Sequence, residues 1–468
     1  MNISELINNI PKHWKIVKIK DVADIISGGT PKSSLKENFA NPGEGIPWLT
    51  PADLSGYSNK YISHGMRDLT DVGYASCSAK LMPKDSVLFS SRAPIGYVAI
   101  AENDICTNQG FKSFVFNKKV HPVYAYYYLK HIKKIAEQMS SGTTFKELSG
   151  AKAKALPFIV THIEEQNQIA TKLDELLAQV DNIKTRLENI PAILNQFKKS
   201  VLKSAMTGEL TFDWREENHT SCVKNTIENI QCYREICLGK NAKFQKHLIS
   251  EEYNIPESWK WVSLDFISKK IVDGTHHTPD YCEAGIPFIS VKDIKDGKID
   301  FTATKFISNQ QHETLIQRCN PEQGDLLITK SGTIGRTAII DTNKKFSLFV
   351  SVALVKPINK EINMQYIDLA LQKWINSIDI SNRIVGTAIK NLHLRDMRVL
   401  AIPFAPLEEQ KEIVKRVYRL FAFADNIENR IKNIQSNIEP LHQSILYSAF
   451  SGKLTEKWRE MNPSLSEA

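Results

Sequence analysis

Apolar side chains recur at alternating spacings of four and three along two stretches of this 468-residue chain. In the first they fall at Ile169, Leu173, Leu176, Val180, Ile183, Leu187, Ile190, Leu194, Phe197 and Val201. In the second they fall at Ile413, Val417, Leu420, Ala424, Ile427, Ile431, Ile434, Ile438, Leu441 and Ile445. Over about five heptads this spacing keeps one seam facing a partner helix. Thr161 and Pro406 lie just upstream, acidic residues fill the first turns, and Gly208 and Gly452 are natural stops. Each stretch predicts a helix of about 43 residues, roughly 65 Å long. Pro191 and Pro440 each delete a backbone donor at non-equivalent places and should kink or loosen their helices. Equal seams in one chain most simply pair with each other, and the long return path favours an antiparallel pair.

The two stretches are copies. Glu164 to Glu216 lines up without a gap against Glu408 to Glu460. Glu165-Gln166 returns as Glu409-Gln410, and Ser204-Ala205-Met206-Thr207-Gly208-Glu209-Leu210-Thr211 as Ser448-Ala449-Phe450-Ser451-Gly452-Lys453-Leu454-Thr455. Both copies close on Trp-Arg-Glu, at Trp214 and Trp458. A looser repeat covers the rest. Ile10-Pro11-Lys12-His13-Trp14 returns as Ile255-Pro256-Glu257-Ser258-Trp259, and Asp85-Ser86-Val87-Leu88-Phe89-Ser90 resembles Asp325-Leu326-Leu327-Ile328-Thr329. Gly142-Thr143 with Leu148 matches Gly386-Thr387 with Leu392. A duplication this long implies a pseudo-twofold internal repeat, which suits a bipartite target such as duplex DNA.

Short apolar runs at Ser86–Phe89 and Asp325–Ile328 read as strands, and Tyr124 to Met139 and Tyr366 to Ile378 as helices. The fold class is therefore α+β: two globular mixed α/β units separated by two long antiparallel coiled-coil helices. Boundaries fall at 1–156 for the first globular unit, 157–216 for the first helix and 217–250 for a linker without clear period. The second globular unit is 251–404, and the second helix with its tail is 405–468.

Between the shared anchors the copies diverge, so one scaffold carries two variable surfaces. Candidate DNA-contacting residues are Gly28, Gly29, Thr30, Lys32, Ser91, Arg92, Thr143, Thr144 and Lys146 in the first unit. In the second they are Thr275, His276, His277, Lys330, Ser331, Thr333, Thr387 and Lys390. Small residues admit a phosphate, hydroxyls hold it, and Arg or Lys reads guanine edges. Ordinary turn chemistry also explains such loops. Arg92 and Lys330 stand out because they sit at matching places after a strand.

Hydrophobic content of 42% and charge of 24% are those of a globular protein, and the net charge of +8 argues mildly for a polyanionic partner. No apolar run of membrane-spanning length and no leader is present, and seven cysteines without CxxC pairs read as reduced thiols in a cytoplasm.

The run Ile402-Pro403-Phe404-Ala405-Pro406-Leu407-Glu408-Glu409-Gln410, together with Ser444 to Leu454, resembles the helical regions of specificity subunits of type I restriction-modification systems. The first copy departs from the pattern, with Phe158-Ile159-Val160-Thr161-His162 and no second proline. The resemblance covers nearly the whole chain. It implies two target-recognition domains, each reading half of a split DNA site, and helices that set the unread spacer and dock two methyltransferase subunits. Those partners would methylate adenine with S-adenosylmethionine, and motor-nuclease subunits would join for cleavage. The chain itself would hold no cofactor, catalytic group or metal.

Other readings are weaker. An adenine methyltransferase needs a Pro-Pro-aromatic loop, and the chain has no Pro-Pro; nor has it a GxxxxGK[ST] phosphate loop. A stand-alone nuclease has one foothold, Asp280 with Asp293 and Lys295, and the sister copy keeps Asp53 without the lysine. His276-His277 beside Cys282 lacks a second ligand pair for a metal. A coiled-coil adaptor would explain the helices but not the divergent globular pair.

Overall fold

The computed structural model describes residues 10–92, 94–141, 146–218, 223–240, 242–248, 253–377 and 392–465. The chain forms two compact units, Met1–Glu188 with Ile431–Ala468, and Asn189–Arg430.

In the first unit a five-stranded sheet runs in the order Ala23–Ser27, Lys112–Phe116, Val87–Phe89, Val98–Ala101, Tyr61–Ile62. Its pairs are antiparallel except the last. In the second unit Ser268–Asp273, Val352–Pro357, Leu326–Thr329 and Thr337–Ile339 form an all-antiparallel sheet of the same order. A helix packs against each sheet, Pro122–His131 and Met364–Ser377. The single helix expected at Tyr124 to Met139 is split at Ile132. A two-stranded ladder in each unit ties the opening segment to the residues before the long helix: Lys15–Lys18 with Pro157–Val160, and Lys260–Ser263 with Ala401–Phe404. Tyr124 and Tyr366 donate equivalent bonds into these ladders, to the carbonyls of Ile159 and Pro403.

The first long helix spans Ile163–Met206 and runs unbroken through Pro191. The second is Leu407–Ser436 followed by Ile438–Phe450. Pro440 has no N–H, and its ring crowds the carbonyl four residues back, that of Ser436, where the helix stops. Both copies begin at the same place in the repeat, so the missing second proline of the first does not alter its entry.

Within each unit the helix segments are antiparallel. In the first, Lys172 donates to the Leu454 carbonyl at 3.1 Å, and farther along the first helix but earlier on the second, His442 meets Asp181 at 3.5 Å. In the second unit, Arg416 bonds the Leu210 carbonyl at 2.8 Å and Lys198 pairs with Asp425 at 2.6 Å. These are equivalent contacts under the repeat.

Ile169, Leu173, Val180, Ile413, Val417 and Ile431 are buried as a seam requires, while Leu176, Leu187, Leu420 and Ile427 are half-buried. Ile183 and Ile434 are a correction: they are 49% and 48% exposed. Leu441, beside Pro440, is also exposed. The seam opens where the proline interrupts the second helix.

The segment expected as a linker carries an additional helix, Lys224–Leu238, belonging to the second unit. Its buried Arg234 donates to the carbonyls of Asp265, Phe266 and Ser268 at 2.8–2.9 Å.

Candidate nucleic-acid interface

A buried carboxylate fixes each globular unit to its helix segments. Glu165, in the first turn of the first long helix, accepts from the Trp14 indole at 2.8 Å, Thr161 at 2.6 Å, Thr455 at 2.8 Å and Arg459 at 2.8 Å. Burial pushes its carboxyl up, but the bonds from Thr161, Arg459, Trp14 and Thr455 outweigh this and hold it below its usual range. Glu409 repeats the arrangement with Trp259 at 2.8 Å, Thr211 at 2.8 Å and Arg215 at 2.5 Å. Pro11 and Pro256 of the opening motifs pack on Gly452 and Gly208, whose φ values of 82° and 78° are left-handed. The repeated motifs thus converge on one acidic residue in each unit. This knot was missed in the sequence; the recurrence of its donors at matched positions was the available signal.

With the sheets so anchored, the candidate loops gather at one end of each. In the first unit, Gly28 and Gly29 leave the last residue of a strand, and the Gly29 N–H bonds the Thr107 carbonyl. A Cβ on Gly28 would lie 1.9 Å from that oxygen and one on Gly29 2.5 Å from the Ala79 nitrogen, so both glycines serve close backbone packing within the unit. Thr30 bonds Gln109, and the Lys32 carbonyl accepts from Asn38 at 3.0 Å. Buried Ser91 bonds the Gly110 carbonyl through both its N–H and its hydroxyl. Arg92 is half-exposed, 3.7 Å from Glu147, next to exposed Lys146. Thr143 and Thr144 lie outside the described residues.

The second unit builds the same end differently. Thr275 bonds the Leu348 carbonyl through its N–H, as Gly29 bonds Thr107. His276 and His277 are exposed, Ser331 is half-buried and Thr333 is exposed. Lys330 turns inward onto the carboxylate of Asp273. Burial raises the Asp273 carboxyl, and the bonds and charges of Lys330 and His276 bring it net below its usual range. Thr387 and Lys390 lie outside the described residues.

Lys330 and Arg92 are not equivalent, which corrects the sequence alignment. The Leu148 N–H bonds the Ser91 carbonyl, and the Leu392 N–H bonds that of Lys330, so Lys330 corresponds to Ser91 and Arg92 to Ser331. The pairing of Asp85 with Asp325 is also out by one residue, in the opposite direction. Asp85 sits at φ 69° and bonds the Ala101 carbonyl, the role of Gly324 at φ 90° and Ile340 in the second unit.

The nuclease foothold consists of turn chemistry. The Asp293 carboxylate accepts from the Ser290 N–H and hydroxyl, Asp53 does the same for Thr50, and Lys295 pairs with Asp300 at 3.1 Å. His276 contacts Asp273, and the Cys282 thiol donates to the Ala284 carbonyl. Among the described residues no three His, Cys, Asp or Glu side chains come together as a metal site. Among them, too, no helix is long and apolar enough to cross a membrane.

The chain matches the type I restriction modification DNA specificity domain over residues 11–192 and 277–436. It is 30% identical over 472 residues to the type I restriction enzyme EcoBI specificity subunit of Escherichia coli, covering 99% of this chain and 91% of that protein. The EcoKI specificity subunit of Escherichia coli K12 is 26% identical, covering 97% and 92%. The MjaIX specificity subunit of Methanocaldococcus jannaschii is 30% identical over 72% of this chain and 74% of that protein. In fold, the chain is similar to the crystal structure of the HsdS subunit from Thermoanaerobacter tengcongensis. The TM-score is 0.60 at 16% identity, over 95% of this chain and 98% of that one.

Proposed function

This chain belongs to the type I restriction-modification DNA specificity family, and we propose that it reads a split duplex DNA target, one half with each globular unit. It contributes recognition and no catalysis. Two methyltransferase subunits and motor-nuclease subunits assemble on it and act at the sites it selects, in the cytoplasm. The observation that carries this reading is the contrast between framework and surface. The two carboxylate knots share their indole, threonine and arginine donors at matched positions, with only Thr161 replaced by Ala405 in the second copy, whereas the loops at the sheet ends differ in the residues that face outward. A protein that needed only to bridge partners has no use for two different surfaces on one repeated scaffold.

The test is genome-wide mapping of methylated adenines after co-expression with the partner methyltransferase. Exchanging Asn2 to Leu156, or Glu251 to Ile402, for the block of a relative changes one half-site and leaves the other. If both half-sites change together, independent reading is wrong. A duplex-binding constant of the assembled complex that does not respond to salt favours an adaptor instead.

A further inference from the structure

At the sheet end of the second unit, Asp273 binds three cationic or potentially cationic side chains. Its carboxylate is 3% exposed and meets Lys330, 11% exposed, from within. From outside it meets Arg318 at 2.5 Å and His276 at 3.3 Å, whose side chains are 52% and 56% exposed. Arg318 lies just beyond the helix Asn309–Ile316, and its carbonyl is held by Lys270 at 2.5 Å. Among the described residues its guanidinium donates from Nη2 alone, to Asp273.

The equivalent place in the first unit shows that the fold does not require this cluster. By the pairing of strands and loops, Asp273 corresponds to Ser27 and Lys330 to Ser91. The first unit forms the same backbone bonds with those two hydroxyl residues. A buried ion pair also adds little stability over a neutral pair. What the charged version adds is position: Asp273, tied down by Lys330, holds an exposed guanidinium at the rim where the candidate loops gather.

We propose that Arg318, positioned by Asp273, reads a guanine in the half-site bound by the second unit; this rests on that unit being a recognition domain. A guanidinium fork matches guanine O6 and N7. One already anchored loses less side-chain freedom on binding than a free one. Lys330 is then a support for the reader, not the reader.

The experiment uses the chain assembled with its methyltransferase, with methylated adenines mapped for Arg318→Ala, Arg318→Lys and Asp273→Asn. Both Arg318 variants lose discrimination at one position of the second half-site, roughly 5- to 150-fold, while the first half-site is methylated as before. That unaltered half-site reports that the protein is folded. Asp273→Asn relaxes the same position to a smaller extent. If Arg318→Lys keeps the full preference, or Arg318→Ala weakens all sequences uniformly with a smaller salt slope, the contact is to phosphate and the proposal is overturned. If no Arg318 variant alters the second half-site but exchange of Glu251 to Ile402 does, the assignment to Arg318 fails and the recognition reading stands. If the exchange changes nothing either, the recognition reading itself fails.

Discussion

Arg459 donates to Glu165 at 2.8 Å across 294 positions of sequence, joining a short helix near the end of the chain to the first turn of the first long helix. Arg215 and Glu409 repeat the bond in the second unit. Removing the acid leaves a largely buried guanidinium and an indole N–H without their acceptor. Glu165→Ala should cost about 3–5 kcal/mol, the usual effect of breaking a buried pair from one side. Amide exchange resolved by unit should show the loss in the first unit for Glu165→Ala and in the second for Glu409→Ala. Because the Glu165 carboxyl is lowered in the fold, its contribution is complete above the unfolded carboxylate range near 4.3. It disappears as pH falls through the lower folded value. Equal loosening of both units by either variant would contradict the assignment of one knot to each.

Gly208 and Gly452 should tolerate no side chain. Both are left-handed, and a Cβ would lie 2.5 Å from Pro256 Cγ and 2.4 Å from Pro11 Cγ respectively. The backbone conformation alone costs an L-residue about 1–2 kcal/mol, and displacing the proline adds to it. Gly452→Ala should therefore lower the melting temperature of the first unit by several degrees. Gly150, whose Cβ would meet nothing, is the control: Gly150→Ala should leave the melting temperature within a degree or two. Equal effects of the two substitutions would remove the packing argument.

Asp368 is nearly fully buried on the helix Met364–Ser377. Burial raises its carboxyl to about 6, against partial compensation from Thr337 and Gln372. The folded chain therefore binds more protons than the unfolded one between about pH 4 and 6. The group's contribution to stability is present below about 4 and is lost as pH rises through 6. Asp368→Asn should stabilise the protein at pH 7.5 by up to about 3 kcal/mol, with the advantage shrinking toward zero by pH 4. Denaturant midpoints at the two pH values check it; a gain that is the same at both would mean that charge is not the cause.

Pro440→Ala should heal the interruption at Asn437. Restoring an N–H and removing the ring from the Ser436 carbonyl gains up to about 3 kcal/mol of helix preference. Loss of the proline's restriction of the unfolded chain offsets about 0.4–1 kcal/mol of that. A net gain, with slower amide exchange from Ile434 to Leu441, is expected. Unaltered exchange there would place the cause of the break elsewhere than in Pro440.

The long helices were legible because their signals are local. The seam fixes a period, and Gly208 and Gly452 end the helices through backbone freedom that only the residue itself decides. The antiparallel pairing was legible because the repeat forces equal seams together. The sheet-end loops were recognisable as loops, but their side chains were not. Lys330 looked free for DNA because its partner Asp273 is remote in sequence, and nothing in spacing reveals such a pair. Gly28 and Gly29 looked like room for a phosphate, whereas the space is taken by the chain's own backbone at Thr107 and Ala79. Ile183 and Ile434 fit the heptad and are nonetheless half exposed, because a proline elsewhere on the pair decides whether the seam closes.

The division into units also sets the order in which the two can complete their folds as the chain is made. Asn189–Arg430 is one uninterrupted stretch, so the second unit holds all its core residues as soon as Arg430 leaves the ribosome. The first unit waits for residues 431–468. Until then Tyr124 and Tyr128 lack Phe450, whose ring lies 5.4 Å and 5.1 Å from theirs in the finished fold. Throughout that interval the incomplete first unit presents an apolar face to the nascent-chain environment and to holding chaperones. Premature termination after Arg430 would therefore disable the first unit while sparing the second.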